Sequence, residues 1–193
     1  MSRPQEFNTD AAIDAAMGVF WDRGVHRTSV DDLLNASGLS RSSLYNTFGG
    51  KQAFFEKAVL RYVDNQVAGF QRVLDAKTLN AGLKKLFQSV VVDNHGGKGC
   101  LLVNCAGSLM QDDSMEQALL HNGFARMFAV LEGRIKLAQE MGEVPSTITP
   151  ADAAVMVCAM ISGLRIFGKA GMEKARLKRV ADLAVKHLML QIT

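Results

Sequence analysis

Apolar residues recur every three or four positions along nearly the whole chain, which is the spacing typical of α-helices. The first such stripe is formed by Ala12, Ile13, Ala16, Met17 and Phe20. Thr9 stands where it can cap this helix at its start, and Gly24 stands where it can end it. The pattern therefore predicts a first helix between Thr9 and Gly24.

Two short helices are predicted next, because capping residues and glycines follow one another closely. Ser29 with Asp32 three residues later forms a capping-box pattern, and Gly38 ends the helix that follows. Ser40 can cap a third helix, which Gly49 and the glycine after it end. The start of the chain is therefore predicted to contain three short helices.

Longer helices are predicted in the remainder of the chain. One runs from 51 to about 77, and others cover 80–93, 100–110, 114–141, 150–168 and 173–191. No internal repeat and no convincing strand alternation is present. We predict an all-α fold with a three-helix unit at residues 1–50 and a larger helical bundle at residues 51–193.

Composition fits a protein with a substantial core, since 48% of the 193 residues are hydrophobic and 21% are charged. Three cysteines are an odd number in a chain too large to need disulfides, which favours a reducing cytoplasm. The polar N-terminus lacks the apolar segment of a signal peptide. The uncharged apolar stretch 153–164 is shorter than the roughly 20 residues of a membrane span, so we expect a cytoplasmic protein with no membrane partner.

Net charge gives no direct indication of a nucleic-acid partner. Residues 1–60 carry six basic and seven acidic side chains, whereas the stretch from residue 169 onward has an excess of four positive charges. Charge alone would therefore place a polyanion partner at the C-terminal end.

Residues 29–48 nevertheless have the form of a helix-turn-helix, with a glycine between two short helices. With Leu44 and Phe48 facing inward, the outer side of the second helix carries hydrogen-bonding residues: Arg41, Ser42, Ser43, Tyr45, Asn46 and Thr47. Arginine can bind guanine, asparagine can bind adenine, and Lys51 lies where a phosphate could be held. An ordinary helical hairpin with a solvated polar face would have the same pattern.

The run from Ala11 to Val59 resembles the N-terminal DNA-binding domain of TetR/AcrR-type bacterial transcriptional repressors. The shared motifs are the Gly24 turn, Thr28-Ser29, Ala36-Ser37-Gly38-Leu39-Ser40, Leu44-Tyr45-x-x-Phe48 and Lys51 at the start of the fourth helix. The resemblance implies that Arg41, Ser42, Ser43 and Asn46 face bases, and that Ser29, Tyr45, Thr47 and Lys51 contact phosphates. Asp31 and Asp32 depart from this picture, since carboxylates near the DNA would repel phosphate.

The resemblance further implies that the larger domain binds a ligand and forms a homodimer. Residues 153–161 are apolar all round, so this helix must be covered on more than one side. With the last helix it would form a four-helix dimer interface, although both helices could instead belong to one core.

Candidate ligand contacts come from several predicted helices. Phe70, Phe87, Phe124 and Phe128 could line a pocket for an apolar or aromatic molecule, although such residues are equally common in ordinary cores. Asn104 and Arg165 are polar groups that could orient the ligand. Arg165 is notable because a charge directly after the uncharged apolar stretch 153–164 needs a partner or water.

Cys100 follows a glycine-rich segment, Gly96-Gly97-Lys98-Gly99, and opens the sequence GCLLVN. This stretch is similar to one branch of the same family, some members of which sense electrophiles or oxidants through cysteine. A helix start beside Lys98 would favour a reactive thiolate at Cys100. The alternative is that Cys100, Cys105 and Cys158 are small buried hydrophobic residues.

Motifs of enzymes are missing from the sequence, which lacks G-x-S-x-G, H-E-x-x-H, C-x-x-C and G-x-G-x-x-G. We therefore predict no catalytic residues, no metal and no cofactor. The predicted function is a homodimeric repressor that a small apolar or aromatic molecule releases from a pseudo-palindromic operator. Two alternatives are a cysteine-based sensing regulator and a helical carrier or enzyme that no longer binds DNA.

Overall fold

The described chain is built from α-helices. The computed structural model describes residues 8–109 and 114–192. The helices in these ranges are α1 (Thr9–Arg23), α2 (Val30–Ser37), α3 (Arg41–Phe48), α4 (Lys51–Leu74), α5 (Leu79–Val92), α6 (Leu101–Ala106), α7 (Ser114–Glu140), α8 (Pro150–Lys169) and α9 (Lys174–Ile192). A 3₁₀ turn at His95–Gly97 precedes α6. The described ranges contain no strand, which confirms the all-α prediction.

The predicted caps of the short helices are present. Ser29 Oγ accepts from the Asp32 amide at 3.1 Å, and Asp32 Oδ2 accepts from the Ser29 amide at 2.9 Å, completing the capping box. Ser40 caps α3 by accepting from the backbone three residues later. Gly38 and Gly49 end α2 and α3 in the left-handed conformation, with φ of 70° and 82°.

Several predicted helix limits differ from the structure, and the helix predicted from 51 to about 77 ends at Leu74. Asn8 rather than Thr9 caps α1, because its side chain accepts from the Ala11 amide at 3.1 Å. The helix predicted over 100–110 is shorter and ends at Ala106. Gly107 has low helix propensity, and the Ser108 hydroxyl donates to the Cys105 carbonyl, so the chain turns there. Met110 lies outside the described residues.

Helices α1 and α3 pack on the first turns of α4, and α2 packs against α1 and α3. Phe20 meets Phe55 edge-on with ring centroids 5.1 Å apart, and Phe48 stacks on Phe54 at 4.1 Å. Leu33 of α2 is fully buried in the same core. The start of α4 thus belongs to the core of the N-terminal unit, while its later turns pack against α5 and α7. The domain limit after residue 50 stays a prediction.

The larger bundle is closely packed where α7 crosses α4 and α6. A Cβ atom on Gly123 of α7 would lie 3.0 Å from Val63 Cγ2 and 3.1 Å from Leu102 Cδ1. Such separations are tighter than ordinary Cβ contacts, so a larger residue here would require the Val63 and Leu102 side chains to move by a few tenths of an ångström. Glycine at this position therefore favours the close approach of α7 to α4 near Val63.

Helix α8 is apolar on more than one side, as the sequence predicts. One side is buried in the bundle, whereas Val155, Ile166 and Phe167 are each about half exposed. On α9, Val180 and Leu183 are also exposed. By length and composition α8 is apolar enough to cross a membrane, but it contains Arg165 and packs against α7, and core helices also meet this criterion.

Candidate DNA interface and ligand core

Helix α3 exposes its polar side chains because its apolar ones are held in the core beneath it. Leu44 is fully buried, and Phe48 is stacked on Phe54. The predicted contact residues that are exposed on this helix are Arg41, Ser42, Tyr45, Asn46 and Thr47. The structure thus brings these side chains together on the open side of one short, capped helix.

The other predicted DNA contacts have roles within the protein. Ser29 is exposed and forms the capping box of α2. Ser43 is half-buried, and its Oγ lies 2.8 Å from Ser40 Oγ. The Lys51 ammonium donates to the carbonyls of Val25 at 3.0 Å and Thr28 at 3.1 Å. Lys51 therefore ties α4 to the loop between α1 and α2, a role that sequence reasoning did not find.

Arg41 is paired with an acidic residue of the preceding helix. Its guanidinium lies 2.6 Å from Asp31 Oδ1, and both side chains are more than half exposed. An exposed pair of this kind exchanges partners at little cost, since water solvates both charges. Asp31 thus neutralises the arginine on the outer face of α3 in the DNA-free protein.

Asp32 is bound within the N-terminal unit. Hydrogen bonds from the Ser29 amide and hydroxyl, followed by Arg23, lower the pKa of Asp32 to about 2. Arg23 NH1 lies 2.5 Å from Asp32 Oδ1. Both acidic residues that looked unfavourable for DNA binding therefore have a basic or backbone partner at the surface.

The predicted aromatic ligand contacts lie in different surroundings. Phe70 and Phe87 are buried, whereas Phe124 and Phe128 are half-buried on α7 with ring centroids 6.1 Å apart. Within the described residues, no ring contact joins either of the first two to either of the second two. A pocket lined by all four phenylalanines stays a prediction.

Arg165 and Cys100 do come together, in a buried group that we call the Arg165 cluster. Its members are Trp21, Tyr62, Gln66, His95, Cys100 and Arg165. Arg165 NH2 donates to Gln66 Oε1 at 3.1 Å, and NH1 lies 3.4 Å from the Gly99 carbonyl. The Tyr62 hydroxyl donates to Cys100 Sγ at 3.3 Å.

Aromatic rings connect this cluster to α1. The Trp21 ring lies 4.9 Å from the rings of both Tyr62 and His95, measured between centroids. His95 begins the 3₁₀ turn at a positive φ of 51°, and its Nε2 lies 3.4 Å from Gln66 Nε2. Asn104, another predicted ligand contact, donates to the Lys98 carbonyl at 2.9 Å and holds the glycine-rich segment in place.

Burial keeps the titratable neighbours of Arg165 uncharged. Burial, and then the Arg165 charge, lower the pKa of His95 to about 4. Burial raises the pKa of Tyr62 well above its usual value and that of Cys158 to about 12. The pKa of Cys105 is likewise raised to about 12 by burial. At neutral pH these groups therefore provide no negative charge to balance Arg165.

Lys98 does not serve Cys100 in the way that its place in the sequence suggests. The Lys98 ammonium lies 3.0 Å from Asp22 Oδ2 of α1. Cys100 itself is 5% exposed and has the Tyr62 hydroxyl as its polar neighbour. All three cysteines are free and buried. In residues 8–109 and 114–192, no three His, Cys, Asp or Glu side chains are grouped to hold a metal.

Comparison with known proteins identifies the N-terminal unit. The family described as "Bacterial regulatory proteins, tetR family" matches residues 12–58, which run from α1 through the first two turns of α4. The transcriptional repressor ComR of Escherichia coli K12 is 26% identical over 189 residues, covering 95% of this chain and 90% of ComR. The uncharacterized regulator YezE of Bacillus subtilis 168 is 33% identical over 110 residues, covering 55% of this chain and 57% of YezE.

A solved structure extends the similarity over the whole fold. It contains a cysteine-substituted variant of the TetR family regulator CifR with 26-base-pair operator DNA. The TM-score is 0.87 at 24% identity, covering 96% of this chain and 98% of that one. The chain is a TetR-type transcriptional regulator. In this TetR-type regulator, the family match contains the whole helix-turn-helix formed by α2 and α3.

Proposed function

We propose that this TetR-type regulator is a homodimeric repressor whose two copies of α3 enter successive major grooves of a pseudo-palindromic operator. The observation that carries the proposal is the outer face of α3, where Arg41, Ser42, Asn46 and their polar neighbours are exposed on a capped helix. A helix of this kind fits the major groove, where its side chains reach base edges.

The predicted DNA-contact residues divide into two groups in this proposal. Arg41, Ser42, Ser43 and Asn46 face bases, with Arg41 exchanging Asp31 for guanine. Ser29, Tyr45, Thr47 and Lys51 contact phosphates. Lys51 has a third N–H donor beyond the two that bind the α1–α2 loop, so a phosphate contact is compatible with its observed role.

The exposed apolar face of α8 and α9 supports the homodimer. Val155, Ile166 and Phe167 on α8, with Leu183 on α9, would otherwise leave apolar surface in water. Packing this face on a second copy forms a four-helix interface and sets the distance between the two α3 helices.

A small apolar or aromatic molecule in the larger domain releases the repressor from DNA. α4 supports this coupling, because it contributes Phe54 and Phe55 to the N-terminal core and Tyr62 and Gln66 to the Arg165 cluster. A coupling free energy of roughly 1–3 kcal/mol would change operator affinity about 5- to 150-fold. We further propose that the protein acts in the cytoplasm and is not an enzyme.

A titration with DNA tests this function. The fragment is the DNA flanking the protein's own coding region, the site that the family resemblance implies, with competitor DNA at several salt concentrations. Specific binding that weakens steeply with salt is the expected result. Binding no tighter than to competitor would contradict regulation at this site.

Substitutions on α3 then separate a repressor from a carrier that does not bind DNA. Arg41→Ala with Asn46→Ala should lower operator affinity roughly 30-fold or more in a dimer, because each lost base contact counts in both half-sites. Arg126→Ala, which removes a surface arginine paired with Asp64 on the bundle, is the matched control. Lys51→Ala is less suitable because it also removes two loop contacts.

Cysteine-based sensing is a second candidate, and the contact between Tyr62 Oη and Cys100 Sγ favours it. The Tyr62 hydroxyl places a hydrogen-bond donor directly beside the Cys100 sulfur, although burial restricts access to reagents. Alkylation with iodoacetamide, compared between the wild type and Cys100→Ser, tests the idea. Unchanged operator affinity after complete alkylation of Cys100 would rule it out.

A further inference from the structure

Arg165 is the one charged side chain among the described residues that is less than a tenth exposed, at 6%. It lies on α8, between α4 and the glycine-rich segment that precedes α6. A guanidinium at such a position has lost most of its water, which a protein normally compensates with a carboxylate or a bound anion.

The partners of Arg165 do not provide this compensation. The Gln66 side chain and the Gly99 carbonyl are both neutral. Within the described ranges, no carboxylate oxygen lies within 4.0 Å of the guanidinium. His95, Tyr62 and Cys158 are held in their uncharged forms by burial. Arg165 therefore carries a positive charge without an observed counter-charge.

An independent observation comes from Trp21 of the same cluster. Its ring is 9% exposed, and its Nε1 is buried without a hydrogen-bond acceptor in the structure. A buried donor of this kind is costly, because it has given up water without gaining another acceptor. The cluster thus contains a cation without a counter-charge and an N–H donor without an acceptor, and a carboxylate oxygen is an acceptor for either group.

We propose that the Arg165 cluster binds the carboxylate of a small organic acid, and that this acid is the effector of the regulator. The guanidinium binds the carboxylate through charge-assisted hydrogen bonds. The apolar part of the acid lies against the aromatic rings of the cluster. The effector role rests on the proposed function, whereas binding of the anion does not.

Anion binding at Arg165 would alter contacts that join the larger bundle to the DNA-binding unit. A carboxylate competes with Gln66 and the Gly99 carbonyl for the guanidinium. Gln66 belongs to α4, and the segment that contains Gly99 is joined to α1 by the ion pair between Lys98 and Asp22. Displacing either acceptor alters a contact between the bundle and the helices that support α3.

Thermal unfolding of the purified protein without DNA tests the binding site. The probes are formate, acetate and benzoate, with acetamide and benzamide as neutral counterparts and sodium chloride at equal ionic strength. A carboxylate at ten times its Kd should raise the Tm by about 3–5 °C, and its neutral counterpart should not. Inorganic phosphate distinguishes a general oxyanion site from a carboxylate site, and a shift by phosphate alone would overturn the assignment to organic acids.

Two variants determine whether Arg165 is responsible. Arg165→Met removes the charge at similar volume, and it should abolish the carboxylate shift while leaving the ligand-free Tm equal to or above that of the wild type. Arg126→Met removes a surface guanidinium and should keep the shift. A carboxylate shift that persists in Arg165→Met, a clear fall in its ligand-free Tm, or no shift with any carboxylate would overturn the proposal.

Operator titration with and without the most effective carboxylate then tests the effector role. Weaker operator binding in the wild type but not in Arg165→Met is the expected result. A carboxylate that stabilises the protein but leaves operator affinity unchanged would refute the effector role and leave the anion site intact. If the protein bound no operator, the proposed function would be contradicted, but the thermal-unfolding test of the anion site would remain valid.

Discussion

The N-terminal unit α1–α3 and the Arg165 cluster both contain arginine, but they place its charge in opposite environments. Arg41 and Arg23 pair with Asp31 and Asp32 at the surface, where water also solvates both partners. Arg165 is buried with neutral acceptors. Exchanging a surface ion pair for a DNA contact costs about 0–1 kcal/mol. A buried arginine without a counter-charge gains considerably more free energy when it binds an anion.

The largest expected effect comes from removing the support of α3. Phe48→Ala deletes the ring that stacks on Phe54, and it should lower the free energy of unfolding by about 3–5 kcal/mol. Urea unfolding followed by the fluorescence of Trp21, the single tryptophan, measures the change. The exposed Val92→Ala is the control and should stay within about 0.5 kcal/mol of the wild type. Equal stability of Phe48→Ala and the wild type would show that this stack does not hold α3.

Lowering the pH should reduce the stability of the Arg165 cluster and of the N-terminal unit in different pH ranges. The pKa of His95 is lowered from 6.5 to about 4, so the unfolded chain binds its proton first. Stability is therefore complete well above pH 6.5 and should fall as the pH drops from 6.5 to 4, by about 1–2 kcal/mol when the conversion is discounted for solvent screening of this half-buried ring. For Asp32, with a pKa of about 2, the loss comes lower, between about pH 4 and pH 2.

Asparagine tolerates the positive φ found at position 95. Replacing His95 by asparagine therefore tests whether this histidine causes the loss of stability between pH 6.5 and 4. The unfolding free energy of His95→Asn should be flatter than that of the wild type between pH 6.5 and 4. The exposed His121→Asn should keep the wild-type pH dependence. If His95→Asn keeps the wild-type slope, the histidine is not the group responsible.

The smallest expected effect comes from releasing Arg41. Asp31→Asn removes its carboxylate partner, and affinity for DNA of unrelated sequence should rise about two- to fivefold at low salt. Fluorescence anisotropy at several salt concentrations measures this change. Asp64→Asn, which removes a similar surface partner from Arg126 on the bundle, should have no such effect. An unchanged affinity for Asp31→Asn would mean that Asp31 does not limit DNA binding by Arg41.

Local sequence predicted the N-terminal unit well, because its signals involve residues a few positions apart. The capping box of Ser29 and Asp32, the Ser40 cap and the two left-handed glycines are all confirmed. The exposure of most predicted contact residues on α3 follows from the same periodicity. The contacts with DNA themselves stay predictions, since the sequence defines which side faces outward but not what it binds.

The Arg165 cluster could not be predicted in the same way, because its contacts join distant parts of the chain. Gln66 and Arg165 are 99 positions apart, and Trp21 meets His95 across two domains that the sequence treats separately. The sequence did indicate that Arg165 needs a partner, but not that the partner is a neutral amide. The loop contacts of Lys51 were missed because carbonyl groups leave no sequence signature.

The tight crossing at Gly123 also determines how motion in the bundle reaches the DNA. Because α7 approaches α4 closely beside Val63, we expect any tilt of α4 to occur about this crossing rather than as a slide along α7. Lys51 lies twelve residues before Val63, so the arm from the pivot to the start of α4 is about 18 Å long. A tilt of about 10° at this fulcrum would move the start of α4 by about 3 Å. In that case a slight rearrangement near Gln66 would be enlarged at the start of α4, where the DNA-binding unit is attached.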